Sequence, residues 1–319
     1  MIVIWARPVA ALWLALGAGA FVTSTASAQT YGLATMQPGT LNHTTGSAIA
    51  KVLKEKAGMN ALVQPTSGES VLIPLVGRGE AEIGIANALE VKVATEAGRL
   101  PELRLIGAIH PLPTAFFVRK DTPMRTIGDL KGKKVVFGFS AMRVLDVVSR
   151  AILATGGLTE KDISTVLVPN VIRGADDFVA GSADMFYFAF GAPKVREVDA
   201  TVGGIRVLEI PESGMDAARK LFPEGYLAPA TPSPFYIGLE KPMGVYTWDN
   251  LLFTNAKVKD DVVYKMIDAM AKNKDDLVAI QPALRAFAPD ALYKTYNVPY
   301  HPGALKYFAD NKIEAKATQ

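Results

Sequence analysis

The stretch from Gln64 to Asn87 decides the fold, and it reads QPTSGES (64–70), VLIPLV (71–76) and GRGEAEIGIAN (77–87). An apolar run at 61–63 leads into small hydroxylated residues, and Ser70 is a suitable N-cap for the short helical run that follows. A buried strand is predicted at 83–86. The turn therefore places free backbone N–H groups and hydroxyls at a helix N-terminus, which suits an anionic or carboxylate-bearing ligand.

The same plan recurs about a hundred residues later along the chain. An apolar run at 166–168 leads into a turn at 170–174, a short helix and a strand at 185–190, and GSAD (181–184) occupies the place of GEAE (79–82). Upstream, strands at 31–35 and 135–139 feed helices predicted at 44–56 and 143–154. Two α/β units of one design indicate two lobes that face each other. The alternative is that two βαβ segments are similar by chance.

The composition indicates a folded chain of two ordinary domains. The chain has 319 residues, half of them hydrophobic, and its 34 basic residues nearly match 31 acidic ones, for a net charge of +3. The densest basic run, KGKK at 131–134, is short and reads as a solvated turn before a strand. This balance argues against nucleic acid as the main partner.

The N-terminus has the pattern of a cleaved secretory signal. Arg7 precedes an almost wholly apolar run at 9–22, and ASA at 26–28 fits a small-residue cleavage site. We therefore expect a signal peptide over residues 1–28 and a periplasmic location. An uncleaved membrane anchor is the competing interpretation, although the apolar run is short for a membrane span.

Catalytic and metal-binding patterns are missing from the sequence. The chain has no cysteine, which excludes disulfides, a thiolate nucleophile and cysteine-bound metal. Its three histidines, His43, His110 and His301, fall in unrelated segments, and no H-E-x-x-H, G-x-S-x-G or P-loop spacing occurs. The sequence thus predicts no catalytic residue, no cofactor and no metal site.

The order of the elements predicts one lobe that contains both ends of the mature chain and a second lobe inserted between them. Prolines at 111 and 113 are expected to break regular structure before an extended run at 115–118. A strand at 246–253 and a helix at 260–272 then return to the first lobe. We expect lobe 1 to comprise residues 29–117 and 245–319, and lobe 2 to comprise residues 118–244, with two crossings that act as a hinge.

A series of motifs resembles the TAXI family, the extracytoplasmic solute receptors of TRAP transporters. The matching segments run in order along the mature chain: TSGES (66–70), GEAEIGIA (79–86), LKGKKV (130–135), ILATGGLTEKDI (152–163), ADMFY (183–187), GAP (191–193), VYK (263–265) and HPGALKYF (301–308). The resemblance implies an α/β, two-lobed fold of the type II periplasmic-binding-protein kind. It further implies capture of a glutamate-like amino acid or dicarboxylate and delivery to an ion-gradient-driven TRAP permease.

The resemblance also places the solute by position. It implies contacts with the loop at 36–43, the turn at 66–70 and Asn87 in lobe 1, and with the loop at 140–144 and the strand end at 187–191 in lobe 2. Two of these loops depart from the family pattern. FSAMRV (139–144) replaces a Gly-Ser-Gly-Thr loop, and QPGTLNH (37–43) has fewer glycines and lacks the usual tyrosine. Side chains therefore replace close backbone approach at the ligand.

Twelve residues are candidates for solute contact, each with a structural alternative. Thr66, Ser67 and Ser70 suit a carboxylate but also suit helix capping, and Arg143 could clamp a carboxylate or lie on a solvated helix face. Tyr187 could equally be a core residue. The candidates are Gln37, Thr40, Asn42, His43, Thr66, Ser67, Gly68, Ser70, Asn87, Ser140, Arg143 and Tyr187.

The sequence thus predicts a non-enzymatic receptor that closes on a small carboxylate-bearing solute. Its partners would be that solute and the TRAP membrane permease. Two alternatives stay open: a sensory or enzymatic domain on the same bilobal fold, and a receptor that feeds an ATP-driven importer.

Overall fold

The computed structural model describes residues 1–3, 29–96 and 98–318. The signal peptide expected over residues 1–28 therefore lies outside the described residues from position 4 onward. Within the described ranges, no helix combines the length and the apolar character needed to cross a bilayer.

The described residues alternate between strands and helices, as the sequence predicts for an α/β protein. Five short 3-10 helices lie between them, at Ile127–Leu130, Glu160–Asp162, Glu212–Gly214, Pro282–Ala286 and Pro289–Ala291. The main elements, in chain order, are β1 (Thr30–Thr35), α1 (Leu41–Ala57), β2 (Asn60–Pro65), α2 (Glu69–Arg78), β3 (Ile83–Asn87), α3 (Ala88–Glu96), β4 (Leu103–Arg119), β5 (Lys134–Phe137), α4 (Leu145–Thr155), β6 (Ser164–Leu167), α5 (Val171–Val179), β7 (Met185–Ala189), α6 (Pro193–Val202), β8 (Ile205–Val207), α7 (Met215–Arg219), β9 (Tyr226–Ala230), β10 (Met243–Asn255), α8 (Asp260–Lys272), α9 (Lys274–Ile280) and α10 (Pro302–Asp310).

The strands form one continuous sheet whose two halves repeat the same order. The path β2-β1-β3-β10 in one half corresponds to β6-β5-β7-β4 in the other, while β8 and β9 pair with β4 and β10. In each half the first three strands are parallel and the fourth is antiparallel to its neighbour. The fold is therefore that of a two-lobed α/β protein, as expected.

An acidic residue before the third strand of each half shows how closely the two units correspond. The Glu82 carboxylate accepts a hydrogen bond from the Gly32 backbone N–H at 2.5 Å. The Asp184 carboxylate accepts one from the Lys134 N–H at 2.8 Å, over the same sequence separation of 50 residues. Each carboxylate links the turn before one strand to the neighbouring strand of its half. The GEAE and GSAD segments therefore have the same structural role.

Two long strands, β4 and β10, run antiparallel through the centre and join the halves. The prediction that the prolines break regular structure is wrong, since β4 is continuous over 17 residues through Pro111 and Pro113. This stretch pairs with β10 on one side, and pairing with β7 on the other side begins only at Thr114. A strand with one open side tolerates proline, because no ladder hydrogen bond is required there.

Two helix starts also differ from the sequence prediction. Helix α1 begins at Leu41 rather than Thr44, because the Thr40 side chain accepts a hydrogen bond from the His43 N–H and acts as N-cap. Helix α2 is capped by Gly68, so Ser70 is not an N-cap but the second residue of the helix. Its hydroxyl is consequently free for contacts outside the helix.

Candidate functional site

A small cavity lies where the two halves of the sheet meet. It has a volume of about 40 Å³, room for a few water-sized groups rather than for a whole metabolite. Its wall combines polar groups from α1, α2 and β3 with apolar and aromatic side chains from the other half and from the crossing strands. The lining residues are Met36, Thr40, Leu41, Asn42, Glu69, Asn87, Leu112, Thr114, Met142, Leu145, Val171, Tyr187, Phe188, Ala189 and Trp248.

The most unusual member of this wall is the carboxyl group of Glu69. The side chain is only 1% exposed, and three N–H groups point at it. Oε1 accepts from Asn42 Nδ2 at 3.0 Å and from the Asn87 backbone N–H at 2.9 Å, and Oε2 accepts from Asn87 Nδ2. Among the described residues, no lysine, arginine or histidine forms an ion pair with Glu69. Burial, reinforced by the nearby Glu90 carboxyl, raises the pKa of Glu69 to about 8.

The amide side chains that hold Glu69 belong to a longer buried network. Asn42 accepts from Asn250 Nδ2 at 2.8 Å through its own carbonyl oxygen, and Asn250 Nδ2 also lies 3.3 Å from His110 Nε2. His110 Nδ1 is 2.7 Å from the Pro111 carbonyl oxygen, so Nδ1 carries the proton and Nε2 accepts. Burial lowers the pKa of His110 to about 4, which leaves the ring neutral at physiological pH.

The opposite wall presents a hydroxyl group with no partner. Tyr187 is buried, and its hydroxyl has no hydrogen bond to any described residue. Burial raises the pKa of this phenol, the neighbouring Thr114 hydroxyl acts in the opposite direction, and the nearby Glu69 carboxyl raises the pKa further. An unpaired buried hydroxyl is costly, and the cavity is the space from which a partner could come.

The two halves touch directly beside the cavity. The Ser70 N–H donates to the Ala141 carbonyl oxygen at 3.1 Å, and the Arg143 N–H donates to the Ser70 hydroxyl at 3.0 Å. The Ser70 hydroxyl donates in turn to Glu90 Oε1, and Glu90 Oε2 accepts from the Val144 N–H at 3.2 Å. Burial raises the pKa of Glu90. Together these contacts hold the cavity closed.

A glycine makes this close approach possible. A Cβ atom on Gly68 would lie 2.1 Å from the Ala141 carbonyl oxygen and 2.8 Å from Met142 Cγ. The backbone of Gly68 is extended, with φ 168° and ψ 176°, so the position requires glycine for space rather than for conformation. Gly68 therefore belongs to the contact between the halves.

Four of the twelve candidate residues line the cavity, namely Thr40, Asn42, Asn87 and Tyr187. Gly68 and Ser70 lie at the contact between the halves, and Thr66 donates from its hydroxyl to the Thr35 carbonyl oxygen at 3.0 Å. The remaining candidates are not among the lining residues: Gln37, His43, Ser67, Ser140 and Arg143.

Of the two interpretations open for Arg143, a carboxylate clamp and an exposed position, the structure shows the exposed position. Its side chain is exposed, and only its backbone N–H takes part in the contact between the halves. Ser67 and Ser140 are exposed as well. His43 is half-buried, with Nδ1 3.2 Å from the Thr35 hydroxyl, and burial lowers its pKa. The loops at 37–43 and 139–144 thus contribute fewer polar groups to the cavity than expected.

Several residues in or beside the cavity are not among the twelve candidates. Glu69, Glu90, Thr114 and Trp248 sit in or beside the cavity, yet a glutamate at a helix start ordinarily reads as a solvated partner of the helix dipole. The only sequence signal for Glu69 was its position in the chain, because its neighbours Gly68 and Ser70 are both candidate residues.

A second, larger cavity of about 150 Å³ shares the Trp248 wall. Its buried acid, Asp249, is already neutralised, since both carboxylate oxygens accept from Lys294 Nζ and one accepts from the Tyr296 hydroxyl. Its buried acid is therefore already paired with a cation, unlike Glu69. Within the described ranges, no group of three or more histidine, cysteine, aspartate or glutamate residues is arranged to hold a metal ion.

Comparisons with known proteins agree with this architecture. The sequence model of the NMT1-like family matches residues 33–311 of the chain. The periplasmic binding protein BugD is similar in structure, with a TM-score of 0.58 at 11% identity over 90% of this chain and 99% of BugD.

Two sulfonate-binding proteins are similar to a comparable extent. The periplasmic protein SsuA from Methylobacillus flagellatus KT gives a TM-score of 0.52 at 15% identity, over 90% of this chain and 97% of its own. The alkanesulfonate-binding SsuA from Xanthomonas axonopodis pv. citri gives a TM-score of 0.51 at 14% identity, over 90% of this chain and 98% of its own. At such identities the likeness shows the fold alone, which is that of two-lobed periplasmic binding proteins.

Proposed function

This chain belongs to the NMT1-like family, and from this premise we propose that it is an extracytoplasmic receptor that closes on a small polar solute. The observation that carries the proposal is the cavity between two like α/β halves, walled by polar groups from both halves and shut by direct contacts beside it. Ligand pockets between lobes that close on a hinge are a device for capturing a solute.

The proposed lobes follow the crossing strands. Lobe 1 comprises residues 29–117 and 245–319, and lobe 2 comprises residues 118–244, so that β4 and β10 form the hinge. A cavity of about 40 Å³ cannot admit a metabolite unless the lobes first separate. Opening and closing about β4 and β10 is therefore part of the proposal.

We further propose that the protein is periplasmic and delivers its solute to a TRAP-type membrane permease. The support is the ordered series of motifs that resemble the TAXI family, together with the signal-like pattern at 1–28. A second candidate, delivery to an ATP-driven importer, is favoured by a structural neighbour described as part of a sulfonate ABC transporter. Uptake into proteoliposomes distinguishes the two, because the first responds to an ion gradient and the second to internal ATP.

The solute expected from the sequence carries a carboxylate, as a glutamate-like amino acid or a dicarboxylate does. The cavity wall contains no lysine or arginine side chain among the described residues, so it offers a solute carboxylate no counter-ion, and its one carboxylic acid, Glu69, would repel that carboxylate once ionised. A solute with a carboxylate must therefore turn that group away from Glu69. An amino acid can do so with its amino end toward Glu69, whereas a dicarboxylate cannot do so as readily.

A sensory or enzymatic role on the same fold is the alternative of another class. Among the described residues that line the cavity, none forms a nucleophile paired with a base, since His110 is buried behind Asn42 and Asn250 rather than in the cavity wall. Conversion of a bound compound to a product would nevertheless replace the receptor proposal, and mass analysis of the bound material detects it.

The receptor proposal is tested by native mass spectrometry of gently purified protein from Gln29 onward. We expect an added mass that corresponds to one small solute and that disappears on partial unfolding and dialysis. A folded protein that retains nothing, and that then shows no saturable binding to any fraction of a metabolite extract, would overturn the proposal.

The contact beside the cavity gives a graded prediction. Ser70→Ala removes the hydroxyl that donates to Glu90 and accepts from the Arg143 N–H. We expect a roughly three- to tenfold weaker affinity for the retained solute, because of these two bonds only the one from the Arg143 N–H joins the two halves and one such bond contributes about 1 kcal/mol to the closed state. Isothermal titration calorimetry measures this. Ser182→Ala, at an exposed position of lobe 2, is the matched control, and equal affinities of the two variants would contradict the assigned role.

A further inference from the structure

The hydrogen bonds around Glu69 identify which form of its carboxyl group the site is built for. Three N–H donors point at its two oxygens. The neighbouring acceptors are occupied elsewhere, because Asn42 Oδ1 accepts from Asn250 and Asn87 Oδ1 accepts from the Glu90 N–H. Both amides turn their N–H groups toward Glu69 and their oxygens toward other donors, an orientation that favours the ionised carboxyl. The surroundings are those of a carboxylate anion.

In its ionised form this carboxyl group has no counter-charge among the described residues. The titratable and charged groups that face it are Glu90 on α3, Tyr187 on β7 and, beyond Asn42, the neutral His110 on β4. Arg143 acts on Glu90, at the contact between the halves, rather than on Glu69. A buried carboxylate without a partner is costly, and a cation in the adjoining cavity would offset that cost.

The rest of the cavity wall matches a cationic head group. The Tyr187 hydroxyl has no hydrogen-bond partner within the described residues, and Thr114 Oγ1 donates to the Tyr246 carbonyl oxygen and retains the capacity to accept. The aromatic rings of Phe188 and Trp248 line the same space, and ring faces attract organic cations. The volume of about 40 Å³ suits an ammonium group rather than a longer chain.

We propose that the cavity between the two halves recognises the primary ammonium group of its solute, with the Glu69 carboxylate as the counter-ion and the Tyr187 and Thr114 hydroxyl oxygens as further acceptors. This inference rests on the proposed receptor function and names the chemical class of its solute. An amine-bearing solute, amino acids included, satisfies it. A solute whose charged groups are all carboxylates does not.

A matched series of five-carbon compounds tests the inference by calorimetry at pH 7.5. The probes are 1,5-pentanediamine, 5-aminopentanoate and glutarate, which carry two, one and no amino groups on the same chain. We expect both amines to bind at least about tenfold more tightly than glutarate, as a charge-assisted hydrogen bond implies. Binding of the better amine should release up to one proton, since the cation draws Glu69 into its ionised form.

The variant Glu69→Gln keeps the shape of the side chain and removes its charge. We expect it to weaken amine binding at least about tenfold, whereas Glu55→Gln on the exposed face of α1 leaves it unchanged. In the unaltered protein, amine affinity should rise between pH 6 and 9, a readout that does not depend on the variant folding.

The outcomes separate the two proposals. Saturable binding of glutarate in preference to both amines, or amine binding that Glu69→Gln leaves intact, overturns the ammonium assignment and preserves the receptor. Failure of the whole series to bind also overturns the ammonium assignment. The receptor proposal is then judged by the retained solute alone.

Discussion

Gly68→Ala is expected to abolish closure of the two lobes and to weaken binding of the retained solute by at least about a hundredfold. A Cβ atom at this position would lie 2.1 Å from the Ala141 carbonyl oxygen, a distance that real Cβ contacts do not show. Since Ala141 is a backbone acceptor on the opposite half and already binds the Ser70 N–H, the overlap is relieved only by separating the halves.

The same substitution should leave each lobe folded. Alanine adopts the extended backbone of Gly68 without strain, so the melting temperature of the unliganded protein should change little. Titration calorimetry with the retained solute measures the loss. Gly128→Ala is the control, because its nearest atoms beyond the chain neighbours are 3.6 Å and 3.7 Å away, in ordinary contact. Affinity of Gly68→Ala close to that of this control would show that the contact does not form on binding.

The second large effect concerns the pH dependence of stability. The folded-state pKa of Glu69 is raised from 4.5 to about 8, so between these values the folded protein keeps a proton that the unfolded chain releases. The free energy of unfolding should therefore fall as pH rises from about 5 to 9. The contribution of one group shifted this far is of the order of a few kcal/mol, and Glu90 acts in the same direction.

Denaturant titrations of the unliganded protein at several pH values measure this dependence. Glu69→Gln should remove most of the decrease in unfolding free energy with pH and make the protein more stable than the parent at pH 9. Glu55→Gln should show the same pH dependence as the parent. A parent protein whose stability rises over this range, or a Glu69→Gln curve parallel to it, would contradict the account of Glu69 as an uncompensated buried carboxyl.

The repeated α/β plan was predictable because it follows from local sequence patterns. The alternation of apolar runs, polar turns and glycines at 31–87 and 135–190 depends on neighbours within a few residues of one another, and the sheet order of both halves confirms it. The continuity of β4 was not predictable in this way. Pro111 and Pro113 break a strand only where a ladder bond is needed, and that depends on which strands come to lie beside them.

The site was predictable in its location and less so in its chemistry. Thr40, Asn42 and Asn87 were named by their positions in the family resemblance, and all three line the cavity. Whether a charged side chain turns inward is a matter of tertiary burial. Arg143, for which a carboxylate clamp and a solvated helix face were both open, lies exposed, and Glu69, which was not among the candidates, is buried beneath three N–H donors.

The claim that the two lobes close over a solute is tested most directly by small-angle X-ray scattering on protein freed of its solute. The account predicts that adding the retained solute back reduces the radius of gyration of the parent protein and leaves that of Gly68→Ala unchanged. An unchanged radius in the parent protein at saturating solute would contradict closure, and with it the assignment of the cavity at Glu69 as the solute site.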